Sequence, residues 1–251
     1  MGTSSCIEWT EATWNPWHGC LKVSPGCAHC YMYRDKRRYG QDPAFVVRSK
    51  TSFDAPLKWK APKMIFTCSW SDFFIAEADQ WRADAWEVIR RSPQHTYQVL
   101  TKRPERICDH LPDGWPFQNV WLGVSVENPR FYWRIETLRE IPASVRFLSV
   151  EPLLKPMLGL PLEGISWVVV GGESGPGCRP MKAEWVREIR GQCSRAKVAF
   201  FFKQWGGPRK DVRGRVLDGR IWGAMPHRRN DDKERAKSTV AKLVPLPSVP
   251  A

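Results

Sequence analysis

The sequence predicts an α/β fold: a partial (β/α) barrel with mostly parallel strands over residues 1–205, then a turn-rich extension and a basic, irregular C-terminal tail over 206–251. Three observations predict it. Short apolar runs recur along the first 205 residues, amphipathic stretches separate them, and polar residues follow each run directly. The first two mark β/α units around a parallel sheet, whose strands are buried on both faces and read as continuous apolar segments. The third gathers chemistry at one rim, because the C-terminal strand ends of such sheets meet the loops and helix N-termini that hold ligands.

In order, the apolar runs are MIFTC (64–68), TYQVL (96–100), VWLGVSV (120–126), VRFLSV (145–150), SWVVVGG (166–172) and VAFFF (198–202), and a weaker first strand is expected around CIEWT (6–10). Trp81, Ala85, Val88 and Ile89 share one helical face, as do Trp185, Ile189 and Cys193. Asn128 is placed to cap a helix that opens on Pro129 and buries Ile135 and Leu138, and a shorter helix is expected from Pro104 to about His110. Pro152, Pro156 and Pro161 make 151–165 an irregular crossover.

The chain carries 39 Lys and Arg against 26 Asp and Glu, a formal charge of +13, so its surface attracts anions. Nucleic acid is the natural polyanionic partner, and a surface that is merely solubilising is the bland alternative. Residues 206–251 hold eleven Lys and Arg against five Asp and Glu, suiting either a basic arm on a phosphate backbone or a solvated tail. No apolar run approaches the roughly 20 residues that cross a bilayer, and MGTSSCIEWTEATW lacks a basic-then-apolar leader, so no membrane partner and a cytoplasmic protein are expected. Eight cysteines without such a leader point to a reducing compartment. Fourteen tryptophans suit either a packed enzyme core or a stacking surface for bases.

The most informative segment is residues 14–40, where Cys20, Cys27 and Cys30 form C-x6-C-x2-C in a Gly- and Pro-rich turn. Three thiols without an obvious fourth ligand suit an iron–sulfur cluster with one iron left open. Zinc competes, with His18 or His29 as fourth ligand, and three unliganded buried cysteines are a third alternative. The run Arg34, Lys36, Arg37, Arg38 is expected as a solvated face, or as positive charge beside the cysteines.

Asp72, Lys102, Arg103, Glu127, Glu151, Glu173 and Lys203 all follow predicted strands and would make a charged cavity floor, although any one of them would serve equally as a helix cap or in a salt bridge. Gly171, Gly172, Gly175 and Gly177 surround Glu173 in GGESGPG, which has neither the spacing of a dinucleotide loop nor the Lys of a phosphate loop.

The segments WNPWHGC, GCAHCY, SDFF, LTKRPER, VWLGVSVEN, RFLSVEPLL, WVVVGGESGPG, RPM, FFFKQWGG and LDGRIWGAMP together resemble the phage-associated three-Cys-motif family of uncharacterised proteins, which are similar to divergent radical S-adenosylmethionine enzymes; the likeness spans about residues 6–226. The resemblance implies a radical-SAM-like barrel with a [4Fe–4S] cluster on Cys20, Cys27 and Cys30 and S-adenosylmethionine on the open iron, cleaved by an electron donor to a 5′-deoxyadenosyl radical. The sequence departs from the usual radical-enzyme spacing, C-x3-C-x2-C, and carries His29 where an aromatic residue is common. Its Gly171-Gly172-Glu173 also comes four strands later than the usual glycine-glycine-glutamate. By resemblance, Ser71 or Asp72 contacts the cofactor's amino group, Ser125 or Glu127 its ribose, and Glu173 serves the substrate or the surroundings of the cofactor carboxylate, with Gly171 and Gly172 also on the cofactor side. Glu151 and Lys203 are the candidates for substrate-side catalysis, with a mutual salt bridge as the alternative.

The leading expectation is therefore a radical S-adenosylmethionine enzyme that repairs or modifies nucleic acid. A zinc-containing nucleic-acid-binding module without catalysis is the second, and a scaffold that works only with a separate partner protein the third.

Overall fold

The structure, a computed structural model, describes residues 5, 7–208 and 214–226. Seven parallel strands form one curled half-barrel sheet in the order β1 (Ala12–Trp14), β4 (Met64–Thr67), β5 (Thr96–Thr101), β6 (Val120–Ser125), β7 (Val145–Val150), β8 (Trp167–Gly171) and β9 (Ala199–Gln204). Two short antiparallel pairs lie outside it: β2 (Trp17–His18) with β3 (Val47–Arg48), and β10 (Val216–Leu217) with β11 (Arg220–Ile221). Strictly sequential pairing from β4 to β9 follows from the repeated unit, each strand entering beside the last after a crossover.

Alternation along the strands divides the core into two layers. Ile65, Tyr97, Val99, Leu122, Val124, Leu148, Val168, Val170 and Phe202 face outward into the larger cluster. There they meet Ala85, Val88 and Ile89 of α2 (Asp79–Arg91), Ile135 and Leu138 of α3 (Trp133–Arg139), and Val186, Ile189 and Cys193 of α4 (Ala183–Ala196). The intervening positions Met64, Trp121, Phe147, Trp167, Val169 and Phe201 face the other way and fill the inner side with aromatic rings. Both faces of the strands are therefore mostly apolar along their buried length, which is why the runs read as largely apolar sequence, with buried Gln98 in β5 an exception bonded to Trp9 O at 3.1 Å.

The first strand lies later than 6–10. Residues 7–10 turn instead, with Thr10 N–H donating to Ile7 O, because Trp9 leaves the chain direction to plug the inner core, 4.7 Å from Phe66 and 5.9 Å from Trp167 between ring centroids. The stretch from Pro104 to His110 is two 3-10 turns. Asn128 does cap its element, its side chain accepting from Arg130 N–H at 3.0 Å, but the element begins as a 3-10 turn and becomes α-helical only at Trp133.

The crossover 151–165 holds no helix or strand, yet Leu153, Met157, Leu160 and Ile165 complete the outer layer. Its backbone is satisfied from α4: Gln192 Oε1 accepts from Leu160 N–H and Gln192 Nε2 donates to Met157 O, both at 2.7 Å. Residues 222–224 return along β9, with Phe202 N–H donating to Trp222 O and Ala224 N–H to Phe200 O. The basic tail beyond residue 226 lies outside the described residues. Among the described residues no helix is long and apolar enough to cross a membrane.

Candidate functional site

The strand pair β2–β3 brackets an excursion, residues 19–46, that carries all three motif cysteines. Gly19 N–H donates to Trp70 O and Cys20 N–H to Pro43 O, so the loop starts pinned to the end of β4. A 3-10 turn, Pro25–Cys27, positions the second cysteine, and Cys30 directly precedes α1 (Tyr31–Arg38). The Tyr33 hydroxyl donates to Cys20 O and the Tyr31 hydroxyl to Ser69 O, so α1 is tied both to its own loop and to the barrel.

Cys20, Cys27 and Cys30 line one cavity of about 680 Å³ at the C-terminal rim of the sheet. That is within the usual size of small-ligand sites. Trp9, Phe66 and Leu100 close its apolar end, and Ser125, Ser149, Glu151 and Lys203 project from the inward positions where the strands turn polar. Ser71, Asp72, Gly172 and Glu173 complete the wall, and Arg34 stands among the lining residues. Of the expected site residues, Glu127 and Gly171 alone do not line the cavity.

Glu127 instead anchors the cysteine loop. Fully buried, it accepts from Ser24 Oγ at 2.5 Å and from Arg134 Nη1 at 3.1 Å, with Lys102 Nζ at 3.4 Å. Gly26 packs directly on it; a Cβ at Gly26 would stand 2.4 Å from Glu127 Oε1. Gly171 likewise makes room for Glu151, whose Oε1 would lie 2.5 Å from a Cβ there, and Gly172 for the carbonyl of Trp205.

Asp72 is 5% exposed and its lone pairs are taken. Oδ1 accepts from Thr101 Oγ1 at 2.6 Å and Phe74 N–H at 2.9 Å; Oδ2 accepts from Lys102 N–H at 2.9 Å and faces Arg103 Nη1 at 3.0 Å. Arg103 reaches onward to Leu21 O at 2.8 Å and to Cys20 Sγ at 4.0 Å. Burial and the Asp72 carboxylate push the Cys20 thiol up to about 12, against the opposing pull of Arg103. Ser71 Oγ is spent on Gly19 O at 2.6 Å.

Glu151 and Lys203 form an ion pair, Oε1 to Nζ 2.9 Å, inside the cavity. Glu173 is clasped by Arg179, which donates from Nη2 to Oε1 at 2.6 Å and from Nε to Oε2 at 2.9 Å. Burial alone would raise the Glu173 pKa, but the Arg179 hydrogen bonds and charge outweigh it and hold it below the ordinary value. Lys36 departs from the solvated face expected of its run: it is buried, and its Nζ donates to Phe45 O at 3.4 Å.

The surroundings of the three thiols differ. Each lines the shared cavity, Arg103 points at one sulfur, and Ser24 Oγ lies 3.8 Å from Cys27 Sγ. Among the described residues, no three Cys, His, Asp or Glu side chains converge as a site for a single metal ion. His18 lines a different cavity, with Trp14, Ser49 and Trp59, whereas His29 lines that of the cysteines.

The profile of a family described as protein of unknown function, DUF5131, matches residues 4–226. The chain belongs to the DUF5131 family. The match covers the half-barrel, the cysteine loop and the return along β9. No curated protein and no solved structure matches the chain. Within this DUF5131 chain, sequence reasoning missed Arg179, Arg134 and Ser24, which fix the loop and the rim. Only Arg179 left a visible signal, standing beside the glycine-rich turn in the RPM segment.

Proposed function

We propose that the chain is a radical S-adenosylmethionine enzyme that repairs or modifies nucleic acid. The observation that carries this reading is the placement of Cys20, Cys27 and Cys30 on one cavity at the C-terminal rim of a parallel half-barrel. The likeness to phage-associated three-Cys-motif proteins suggests the cofactors: the three thiolates would hold three irons of a [4Fe–4S] cluster, with S-adenosylmethionine on the fourth, to supply one-electron cleavage to a 5′-deoxyadenosyl radical.

The chain's own residues set the conditions. Arg103 and Ser24 supply positive charge and a hydroxyl beside the Cys20 and Cys27 sulfurs, and such contacts tune a cluster's potential. Trp9, Phe66 and Leu100 exclude water from the cavity's apolar end. Glu151 and Lys203 provide a paired acid and cation toward the substrate, and Ser125 and Ser149 offer neutral hydrogen bonds. Ser71 and Asp72, occupied by Gly19 and Arg103, shape the cofactor's side of the wall. The net charge of +13 motivates nucleic acid as the substrate. This chemistry needs an electron donor, which a separate partner protein would supply, and a reducing compartment such as the cytoplasm.

Metal analysis of anaerobically purified protein tests the reading. About four irons per chain with a broad sulfur-to-iron absorption band supports it. Stoichiometric zinc without that band overturns it in favour of a zinc-containing binding module.

A further inference from the structure

Beside the cysteine cavity lies a second one of about 580 Å³, lined by Pro25, Asn128, Arg130, Phe131, Lys155 and Arg179 among others. The wall between them is the turn of the cysteine loop: Pro25 faces the second cavity, Gly26 and Cys27 the first. Arg179 bridges the two, donating from Nη2 both to Pro25 O at 2.8 Å and to Glu173 Oε1 at 2.6 Å.

The second cavity is chemically one-sided. Three cationic side chains line it and no carboxylate does. Glu173 neutralises Arg179, but Arg130 and Lys155 have no ion pair among the described residues. Arg130 and Lys155 are both exposed, and a bound anion would pair these two cations on one concavity, with Phe131 and Leu154 as its apolar walls. The backbone under Arg130 is held by the Asn128 cap, so the loop that presents it is already ordered.

We propose that this cavity seats a backbone phosphate of a single-stranded nucleic acid whose neighbouring nucleotide enters the cysteine cavity. The cysteine cavity is recessed within the half-barrel, so a base must leave its stack to reach it. A flanking phosphate seat on the far side of one loop turn would hold the strand while it does. The nucleic-acid part of the proposed function is assumed here; the iron chemistry is not.

The test measures binding of a fluorescein-labelled single-stranded oligonucleotide to full-length protein across a salt series. Comparison is with Arg130→Gln/Lys155→Gln, and with an equal charge change at exposed Lys58 and Arg91. Losing this one phosphate seat lowers the slope of log affinity against log salt by about 0.7, and the double variant loses affinity several-fold at physiological salt. The Lys58/Arg91 control stays within about twofold. Placing neutral methylphosphonate linkages in the oligonucleotide weakens its binding to the native chain but not to the Arg130/Lys155 variant. Unchanged affinity and slope in that variant overturn the proposal. So does equally tight, equally salt-dependent binding of inorganic phosphate or an acidic peptide. Iron content, read on the same samples, separates the two ideas: normal iron with unaffected binding sinks the phosphate seat alone, and absent iron sinks the cluster reading alone.

Discussion

Asp72 aims Arg103 at the first cysteine. The carboxylate holds the guanidinium at 3.0 Å, and the same nitrogen lies 4.0 Å from Cys20 Sγ. Both side chains are more than nine-tenths buried, so the pair acts as a preset cation beside a thiol. Asp72 follows β4 and Arg103 follows β5, and these adjacent parallel strands bring them together in the register Thr67↔Val99. The rim therefore places a buried cation beside the cysteine loop.

Replacing Asp72 with Asn leaves the buried Arg103 charge without its counterion. Removing one partner of a buried pair costs about 3–5 kcal/mol, so Asp72→Asn lowers the free energy of urea unfolding by roughly that amount. A change under about 1 kcal/mol would mean that Arg103 finds another partner.

Gly26→Ala drives a methyl group to 2.4 Å from a carboxylate that Ser24 and Arg134 already fix. The Cys loop must shift while the barrel stays folded. Reconstituted iron per chain is expected to fall at least twofold, with the far-ultraviolet circular dichroism unchanged. Native-level iron would show that the loop tolerates displacement from Glu127.

His95 is fully buried, its Nδ1 accepting from Lys63 N–H at 3.2 Å and its Nε2 facing Pro56 O at 3.1 Å, an arrangement made by the neutral ring. Burial lowers its pKa from 6.5. Because the unfolded state then binds the proton more readily, stability falls as pH drops below 6.5. Urea midpoints measured from pH 7 to pH 5 should decline in the native chain and decline less in His95→Gln; parallel curves would remove His95 as a cause.

Gly191 sits within α4, and the nearest atom to a Cβ there is Arg195 Nη1, the movable end of a side chain, at 3.4 Å. Gly191→Ala is thus expected to stabilise the fold by about 0.5–1 kcal/mol, the ordinary helix preference for Ala. A thermal midpoint that falls would show that the Arg195 side chain does not give way.

Much of the architecture was legible because it is local. The apolar runs are buried on both faces, so each strand announces itself, and the helical stripes of α2 and α4 sit where the spacing puts them. The cysteine loop and the polar strand ends were equally visible. The three-residue strand β1 was not, because its neighbour Trp9 leaves the strand direction to fill the inner core. The role of Glu127 was hidden for a different reason: it is set by Ser24, 103 residues away, and a strand-end position alone does not tell a loop anchor from a ligand contact. Arg179 contacts Pro25 across 154 residues, and nothing in either segment names the other.

The most direct measurement is the yield of 5′-deoxyadenosine when anaerobically reconstituted protein is given S-adenosylmethionine and a strong reductant. The account predicts that the native chain forms it and that Cys20→Ala, Cys27→Ala and Cys30→Ala, each still folded, do not. An iron-loaded native chain that yields none, or three cysteine variants that yield as much as it does, would contradict the account.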